Sequence, residues 1–251
     1  ARLEELNLLL RISQGIAGSL NLDQSLPDLL EGAITSTKSN GVRLIIRSRD
    51  DVPAVVFSDG QLSQAMSMLD KDLLNLTEHE DRPVRLENLA RARAVIDASK
   101  VSNQVQALIA LPLRQESQFL GTLWVGFSQT HTFTESEVNF LTTLAGQAAV
   151  AISNANLYEA SEGGRQQLQA ILASSPDAVI VIDRRERVLL LNPAAEAVFR
   201  VNGATAVNRP LAEVINRTEL IDLARNPQLG TPRQVPLDDG RTMYASASPI
   251  M

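Results

Sequence analysis

The chain has 251 residues and a mass of 27.3 kDa, which is enough for two ordinary domains that each bury a core. Its net charge is -6 with a pI near 5.1, and no cluster of lysine and arginine is dense enough to follow a phosphate backbone, so we expect no contact with nucleic acid. The absence of cysteine excludes thiol nucleophiles, thiolate zinc sites, disulfides and thioether-linked chromophores.

No apolar run approaches the roughly 18 to 20 residues that span a bilayer, and the N-terminus does not resemble a signal peptide. We therefore expect a cytoplasmic fragment that makes no membrane contact. The chain begins at Ala1 and ends at Met251 without a recognisable terminus, so we interpret it as a piece of a longer protein.

The first 60 residues predict two helices followed by two strands. Leu3, Leu6 and Leu10 lie at helical spacings with charges between them, which is typical of an amphipathic helix. A second helix is expected from positions 23–25 to Asn40-Gly41, and strands are expected over 42–48 and 54–59. The following segment, 61–103, is polar and helix-prone, with one short strand in PVRLENL.

The middle of the chain predicts a β-hairpin and then a long helix. QALIALPLR and FLGTLWVGFS are strand-like runs separated by a polar turn. Thr134 and Glu137 have the spacing of a capping box, and Phe133 and Val138 flank them as a hydrophobic staple. A helix is therefore expected to begin at Thr134.

Apolar and small residues recur along this helix at alternating spacings of three and four. Small residues let helix axes come close, so this seam should face the first helix of the same domain or its copy in a second chain. A core face is the plain alternative, and we expect both uses together in a parallel homodimer. The candidate dimer interface comprises Leu3, Leu6, Leu10, Leu141, Ala145, Ala148 and Ile152.

Gly163 and Gly164 interrupt the seam, and apolar residues resume at Leu168 in a different phase. Two glycines disfavour a continuous helix by roughly 2 kcal/mol relative to alanine. We expect a break here and interpret the pair as a candidate relay hinge. A passive linker, or a junction where residues are missing from the sequence, is the alternative.

The last third of the chain predicts two hairpins with helices between them. AVIVID and VLLLN are short strands joined by a polar turn, and Asn192 then caps a helix whose first residue is Pro193. RTELIDLA predicts a further helix. RQVPLDDGRTMYASASPI predicts a hairpin that turns at Asp238-Asp239-Gly240.

Two families share these motifs. Residues 1–160 resemble a GAF domain in ALIALPLR with FLGTLWVGF, and in the closing helix FTESEVNFLTTLAGQAAVAISNANLYEA. Residues 176–251, after a helical linker over 161–175, resemble a PAS domain of bacterial sensor kinases in LQAILASSPDAVIVID and VLLLNPAAEAVF. The resemblance implies an α+β chain: a GAF antiparallel sheet with helices on both faces, a long joining helix, and a PAS five-stranded antiparallel sheet with short helices.

The chain departs from the PAS pattern at three places. The first hairpin turn, 184–187, lacks the glycine often found there, and Asn208 replaces a glycine before Arg-Pro-Leu but can adopt a positive φ. The last strand of the family would follow Ile250. We therefore expect a PAS domain without its last strand, which has an unpaired edge or borrows a strand from another chain.

Catalysis finds little support in the sequence. His79 and His131 lie in polar segments without a neighbouring nucleophile or second ligand, so surface positions are expected, and haem ligation by His79 is the alternative. Trp124 is expected in the core with its indole N–H bonded locally, or in a pocket wall. Asn192 is explained by its capping role, and a ligand contact would be an additional use. We expect no chromophore, cofactor or metal.

The resemblance implies a sensory input region that dimerises and relays a conformational change to a C-terminal output domain in the same chain, a histidine kinase above all. The fragment itself is then not an enzyme. The alternative is a GAF receptor for a small metabolite or nucleotide that controls a cyclase or a transcription factor. The signature of cyclic-nucleotide-binding GAF domains is absent from the sequence, and nothing in it names the ligand.

Overall fold

The computed structural model describes residues 21–47, 54–92, 96, 104–226, 231–237 and 240–249. The chain divides after Ser161 into two compact units, which we call unit 1 and unit 2. The elements that begin in unit 1 are α1 (Leu22–Thr37), β1 (Gly41–Ile46), β2 (Val55–Asp59), α2 (Ser63–Met66), a 3-10 turn (Ser67–Leu69), α3 (Asp70–Glu78), β3 (Val84–Leu86), a second 3-10 turn (Leu89–Arg91), β4 (Ala107–Gln115), β5 (Gln118–Phe127) and α4 (Glu135–Ser174).

Unit 1 is built on one antiparallel sheet of five strands in the order β2-β1-β5-β4-β3. The predicted hairpin forms β4 and β5, which pair from Ala107 opposite Phe127 to Gln115 opposite Gln118. The short strand expected in PVRLENL is β3, and it pairs with β4 at the sheet edge. β1 lies between β2 and β5, and all its residues are buried.

The two faces of the sheet carry different cores because successive side chains of a strand point to opposite sides. In β1, Val42 and Leu44 face a core formed with α1 and the first half of α4, which contributes Leu141 and Ile152. Ile45 faces a second core formed with the helical segment 62–73. Unit 1 therefore has helices on both faces of its sheet, as the sequence predicted.

The end of α1 differs from the expectation. The helix begins at Leu22, where the side chain of Asn21 accepts a hydrogen bond from the Asp23 N–H. It ends at Thr37, and Lys38 takes the left-handed conformation with φ 53°, so the predicted stop at Asn40-Gly41 is three residues too late. The predicted first helix lies outside the described residues.

α4 is a 40-residue helix that begins at Glu135 and runs without interruption to Ser174. It passes through Gly163 and Gly164, where a built Cβ would meet no neighbouring atom within 4 Å. The expected break at this pair is therefore wrong. The helical hydrogen bonds of the surrounding residues outweigh the cost of two glycines, and the role of the pair as a relay hinge stays a prediction.

Unit 2 has two antiparallel hairpins with four short helices between them. Its elements after α4 are β6 (Ile180–Ile182), β7 (Val188–Leu191), α5 (Pro193–Phe199), α6 (Gly203–Ala206), α7 (Leu211–Val214), α8 (Thr218–Arg225), β8 (Arg233–Pro236) and β9 (Thr242–Ala245). A small core forms around Val188, Leu211 and Ile215.

The strands of unit 2 depart from the single five-stranded sheet that the resemblance implies. β6 pairs only with β7, and β8 only with β9, among the residues that the structure describes. No strand there joins the two hairpins, which is why two two-stranded sheets replace one sheet. At the first hairpin turn, Glu186 supplies the positive φ of 58° in place of glycine, and Asn208 adopts φ 67° as predicted.

Gly121 in β5 lies where a side chain would collide with the neighbouring strand β1, so its replacement tests the register of these two strands. A Cβ at this position would lie inside the contact radius of the Ile45 carbonyl oxygen, and the backbone φ is 153°. We expect Gly121→Ala to lower the free energy of unfolding by roughly 3 kcal/mol or more, measured by urea denaturation. Gly146→Ala is the control. A Cβ there meets nothing within 4 Å in α4, so stability should be unchanged or higher.

Candidate functional site: the long helix and its attachment points

The start of α4 is fixed by the capping box that the sequence predicted. Glu137 Oε2 accepts hydrogen bonds from the Thr134 N–H at 2.9 Å and from its hydroxyl at 2.8 Å. The Glu137 N–H donates back to Thr134 Oγ1 at 3.3 Å. Phe133 and Val138 are both buried in the core beside α4, which gives the hydrophobic staple.

His131 extends this cap and is not the plain surface residue that the sequence suggested. Its Nε2 lies 3.1 Å from Glu137 Oε1, and its ring stacks on Phe127 with 4.1 Å between ring centroids. Phe133 meets the same ring edge-on at 4.9 Å. The imidazole is thus held between β5 and the first turn of α4. Its Nε2 contacts the carboxylate oxygen of Glu137 that Thr134 does not use.

The pKa of Glu137 lies below its ordinary value of 4.5. Burial alone would raise this pKa, but the two hydrogen bonds from Thr134 and the attraction of His131 outweigh it. The ionised carboxylate is therefore the stabilised form. Its position at the N-terminus of a helix also suits a negative charge.

The buried face of α4 corrects the predicted dimer interface. Leu141, Ala148 and Ile152 are 0% exposed and Ala145 is 3% exposed, because all four pack in the core beside α1 and the sheet. A second chain cannot reach them, so these four residues form a core face and not a dimer contact. Leu3, Leu6 and Leu10 lie outside the described residues.

A different stripe of α4 is exposed. Val150, Leu157 and Ile171 are 39%, 67% and 57% exposed, although each is apolar. Together with Gly164 they occupy positions 150, 157, 164 and 171, a strict seven-residue repeat on the side of the helix opposite its buried face. We call these four positions the exposed stripe. Small residues lie between them at Ser153 and Ala160.

The charges of α4 avoid the exposed stripe. From Val138 to the end of the helix the charged residues are Glu159, Glu162 and Arg165. The two glutamates lie on the far side of the helix from position 157, and Arg165 pairs with Glu162 at 2.9 Å. A second copy could therefore approach the stripe without like charges meeting at the seam.

Asn192 attaches the last turn of α4 to the rest of unit 2. The residue is 2% exposed, and all four of its side-chain hydrogen bonds are formed. Its Oδ1 accepts from the N–H groups of Val179 and Ala195, at 2.8 and 3.0 Å. Its Nδ2 donates to the carbonyl oxygens of Leu172 and Asp177, at 3.0 and 2.8 Å. The predicted helix cap thus also satisfies a carbonyl at the C-terminus of α4.

A cleft of about 380 Å³ lies beside this attachment point in unit 2. Leu172, Leu189 and Val207 make most of its lining apolar, and Gln169 and Glu196 add polar groups at its edge. One oxygen of Glu196 already accepts a hydrogen bond from the Gly203 N–H at 2.5 Å. The cleft is open and offers few unsatisfied polar atoms to a ligand.

A buried ion pair on the other face of the unit 1 sheet was not predicted from the sequence. Arg43 of β1 binds the carboxylate of Asp70, at the start of α3, through Nε at 2.8 Å and Nη2 at 2.5 Å. Trp124 is fully buried, as expected of a core tryptophan, and its indole N–H donates to the same carboxylate at 3.1 Å. The partners are 27 and 54 positions apart, so no local motif could have found them.

The other features weighed in the sequence are His79, metal ligation and membrane spans. His79 is exposed and its Nδ1 lies 3.0 Å from the Asn75 carbonyl oxygen. No group of three potential metal ligands occurs among the described residues. Within the same part of the chain, no helix combines the length and apolar character needed to cross a membrane.

Comparison with known proteins identifies both units. A family model for the GAF domain matches residues 21–153, just over half of the chain, and a model for the PAS fold matches residues 166–234. The chain therefore belongs to the GAF-domain family, and a PAS domain follows the GAF domain in tandem. Both are sensory domains of signalling proteins.

Individual relatives are distant. Diguanylate cyclase A of Treponema denticola is 25% identical over an alignment of 170 residues, and the match covers 62% of this chain but only 44% of that protein. The GAF domain of an Acinetobacter phosphoenolpyruvate-protein phosphotransferase has a TM-score of 0.53 at 21% identity, over 61% of this chain and 95% of that one. A GAF domain assigned to a sensor histidine kinase of Pseudomonas syringae pv. tomato has a TM-score of 0.49 at 19% identity, over 64% and 94%. Likeness at these identities shows the fold alone.

The cap of α4 gives a pH-dependent prediction. We expect Glu137→Gln to lower the free energy of unfolding at pH 7 by about 0.5 kcal/mol, because glutamine can still accept from the Thr134 N–H but lacks the negative charge that suits a helix N-terminus. Because the folded pKa of Glu137 lies below 4.5, its contribution is complete above that pH and is lost as the pH falls through the folded pKa. Urea denaturation of the wild type and the variant, from pH 7 down into acid, should show the difference in their free energies of unfolding becoming smaller as the pH falls.

Glu135→Gln is the matched control, because Glu135 lies in the same helical turn, is 77% exposed and pairs only at the surface with Arg85. A difference from wild type as large as that of Glu137→Gln, or one that persists in acid, would contradict the assignment of the cap to Glu137.

Proposed function

We propose that the chain is the sensory input region of a signal-transduction protein, which dimerises in parallel and passes a conformational change to an output domain in the same polypeptide. The proposal rests on the extent of helix α4, which runs through the boundary between the two units. The helix contributes its first 27 residues to the GAF unit and its last 13 to the PAS unit, so one element belongs to both domains.

Dimerisation is supported by the exposed stripe. In a two-stranded coiled coil, two positions of each heptad face the partner helix. The exposed stripe supplies one of them, and the small residues Ser153 and Ala160 supply the other, which allows close approach. In a symmetric parallel pair, each stripe residue meets its own copy. This interface replaces the one predicted from Leu141, Ala145, Ala148 and Ile152.

The output is a histidine kinase in this proposal, because the PAS motifs resemble those of bacterial sensor kinases. A cyclase output is the second candidate, and the relative from Treponema denticola favours it. Purified full-length protein tests the choice by autophosphorylation with ATP against diguanylate cyclase activity. A longer protein with neither activity would overturn both outputs.

The stripe is tested by disulfide cross-linking, for which a chain without cysteine needs no background mutations. We expect Val150→Cys, Leu157→Cys and Ile171→Cys each to form covalent dimers readily under mild oxidation, because equal residues face each other in a parallel seam. Denaturing gels without reductant measure the dimer fraction.

Glu159→Cys and Glu162→Cys are the matched controls on the same helix, since they point away from the stripe. They should cross-link several-fold more slowly. Equal rates at stripe and control positions, or a monomer mass by light scattering at tens of micromolar, would reject the interface.

The glycine pair gives a second test of the relay. Replacing Gly163 and Gly164 with alanine should stabilise α4 locally by roughly 2 kcal/mol, so its local opening becomes about thirtyfold rarer. Amide hydrogen exchange at residues 160–168 should slow accordingly. In the full-length protein, we expect output to lie near one extreme with a reduced response to stimulus.

Gly146→Ala serves as the control, because it adds a methyl group elsewhere in α4 and should leave exchange at 160–168 unchanged. If the double alanine protein exchanges more slowly but retains normal basal output and normal response, the glycine pair is only a linker and this part of the relay is wrong.

A further inference from the structure

Leu168 is an exposed apolar residue of α4 that lies outside the exposed stripe. Its side chain is 56% exposed, and it belongs to the part of α4 that forms unit 2. Among the residues that the structure describes, neither the small core of unit 2 nor its cleft includes Leu168, because α4 faces the cleft with Gln169, Leu172 and Ala173. Leu168 follows Gly164 of the stripe by four residues, so these two positions are neighbours on one face of the helix.

A stripe with a seven-residue repeat can pair with a second copy in two ways. In a two-stranded coiled coil, two positions of each heptad face the partner, and they alternate at spacings of three and four residues. The second position therefore follows a stripe residue by either three or four residues, and we call these arrangements the +3 register and the +4 register. Each helix is rotated about its own axis by roughly 50° between the two registers, because consecutive residues lie about 100° apart around a helix.

Before the glycine pair, the side chains favour the +3 register. This register places the small residues Ser153 and Ala160 in the seam, where the +4 register would place Asn154 and Ser161. Small side chains let the two backbones approach closely. An asparagine in the seam lowers the stability of a coiled coil, because its amide group has to be desolvated.

After the glycine pair, the side chains favour the +4 register. This register places Leu168 in the seam between Gly164 and Ile171 of the stripe. The +3 register would place Gln167 there instead and would leave Leu168 in solvent. Burying the leucine is favourable, whereas burying the glutamine amide is not, so the two halves of the seam favour different registers.

We propose that the seam between two copies of the chain changes from the +3 register to the +4 register at Gly163 and Gly164, so that Leu168 meets its own copy. The proposal rests on the parallel dimer formed through the exposed stripe. The positions that face the partner are then 150, 153, 157, 160, 164, 168 and 171. Two consecutive steps of four, from 160 to 164 and from 164 to 168, interrupt the alternation. Positions 157 to 168 thus span one eleven-residue repeat, which locally unwinds the left-handed supercoil of the pair.

Glycine at position 164 suits the point where the register changes. The direction of a stripe residue lies between the orientations of the two registers, so at this point it aims directly at its copy. Gly164 has no side chain and therefore lets the two backbones approach. A Cβ built at Gly163 or Gly164 would meet nothing within 4 Å in its own chain, so the packing of a single chain does not account for glycine at either position.

Cysteines at two pairs of adjacent positions test the change of register. We expect Ala160→Cys and Leu168→Cys to form covalent dimers about as fast as the stripe cysteines do, because these positions face their own copies. Ser161→Cys and Gln167→Cys should react several-fold more slowly. All four residues are exposed, so each pair compares neighbours of similar accessibility on one helix. Denaturing gels without reductant measure the dimer fraction over time.

The order of rates within each pair decides the outcome. Gln167→Cys reacting as fast as Leu168→Cys, or faster, would mean that the +3 register continues past the glycines and would overturn the proposal. Ser161→Cys reacting as fast as Ala160→Cys would overturn it as well. If cysteines at the stripe positions 150, 157 and 171 fail to cross-link, the dimer itself is wrong. If they cross-link and only the order within a pair differs from expectation, the dimer stands and the change of register is wrong.

The strength of the dimer gives a second measurement. Leu168→Ala should raise the dissociation constant of the dimer by about tenfold or more, because it removes a leucine side chain from the seam. Gln167→Ala is the matched control on the neighbouring residue and should leave the dissociation constant nearly unchanged. Sedimentation equilibrium of the wild type and both variants measures the constants. Equal constants for Leu168→Ala and the wild type would place Leu168 outside the seam and overturn the proposal.

Discussion

Helix α4 buries one side against its own sheet. This constraint decides which of its apolar residues remain exposed to solvent. With 3.6 residues per turn, the positions that pack in the core are fixed once the cap sets where the helix begins. The cap formed by Thr134, Glu137 and His131 therefore also affects how α4 packs. It sets the phase in which Leu141 and Ile152 meet the sheet and Val150 and Leu157 face outward.

The two faces of the GAF sheet bury different kinds of side chain. The face toward α1 and α4 is closed mainly by aliphatic and aromatic side chains, and α1 also buries Ser25 and Thr37 there. The face toward α3 includes the Arg43–Asp70 pair among its apolar residues. A buried ion pair is weak evidence for stability, since its desolvation offsets much of the attraction, but it specifies position sharply. The ion pair therefore helps to fix where the first residue of α3 lies on this face of the sheet.

Sequence reasoning succeeded where structure depends on near neighbours and failed where it depends on distant ones. The capping box, the β4–β5 hairpin and the Asn192 cap follow from residues a few positions apart, so their patterns were sufficient. The sequence predicted that one face of α4 packs in the core and also meets a second chain, because both sides of the helix carry small and apolar residues. Only the packing against the sheet shows that this face is buried within unit 1. The Arg43–Asp70 contact requires the sheet register, and Lys38 and Glu186 adopt positive φ in place of expected glycine or asparagine.

Gly163 and Gly164 lie in a part of α4 that has few contacts with the rest of its own unit. The last buried residue of the helix is Ala155, and near its other end Asn192 holds the Leu172 carbonyl. Residues 156–171 lie between these two points and are exposed or half-buried within their own units. This stretch is held by its own helical hydrogen bonds and by pairs such as Glu162–Arg165, and two of its residues are the poorest helix formers after proline. A second copy packed on the exposed stripe would supply its missing tertiary contacts. If the proposed dimer forms, its packing therefore adds to the stability of this stretch, and a change in that packing changes how well the stretch is ordered.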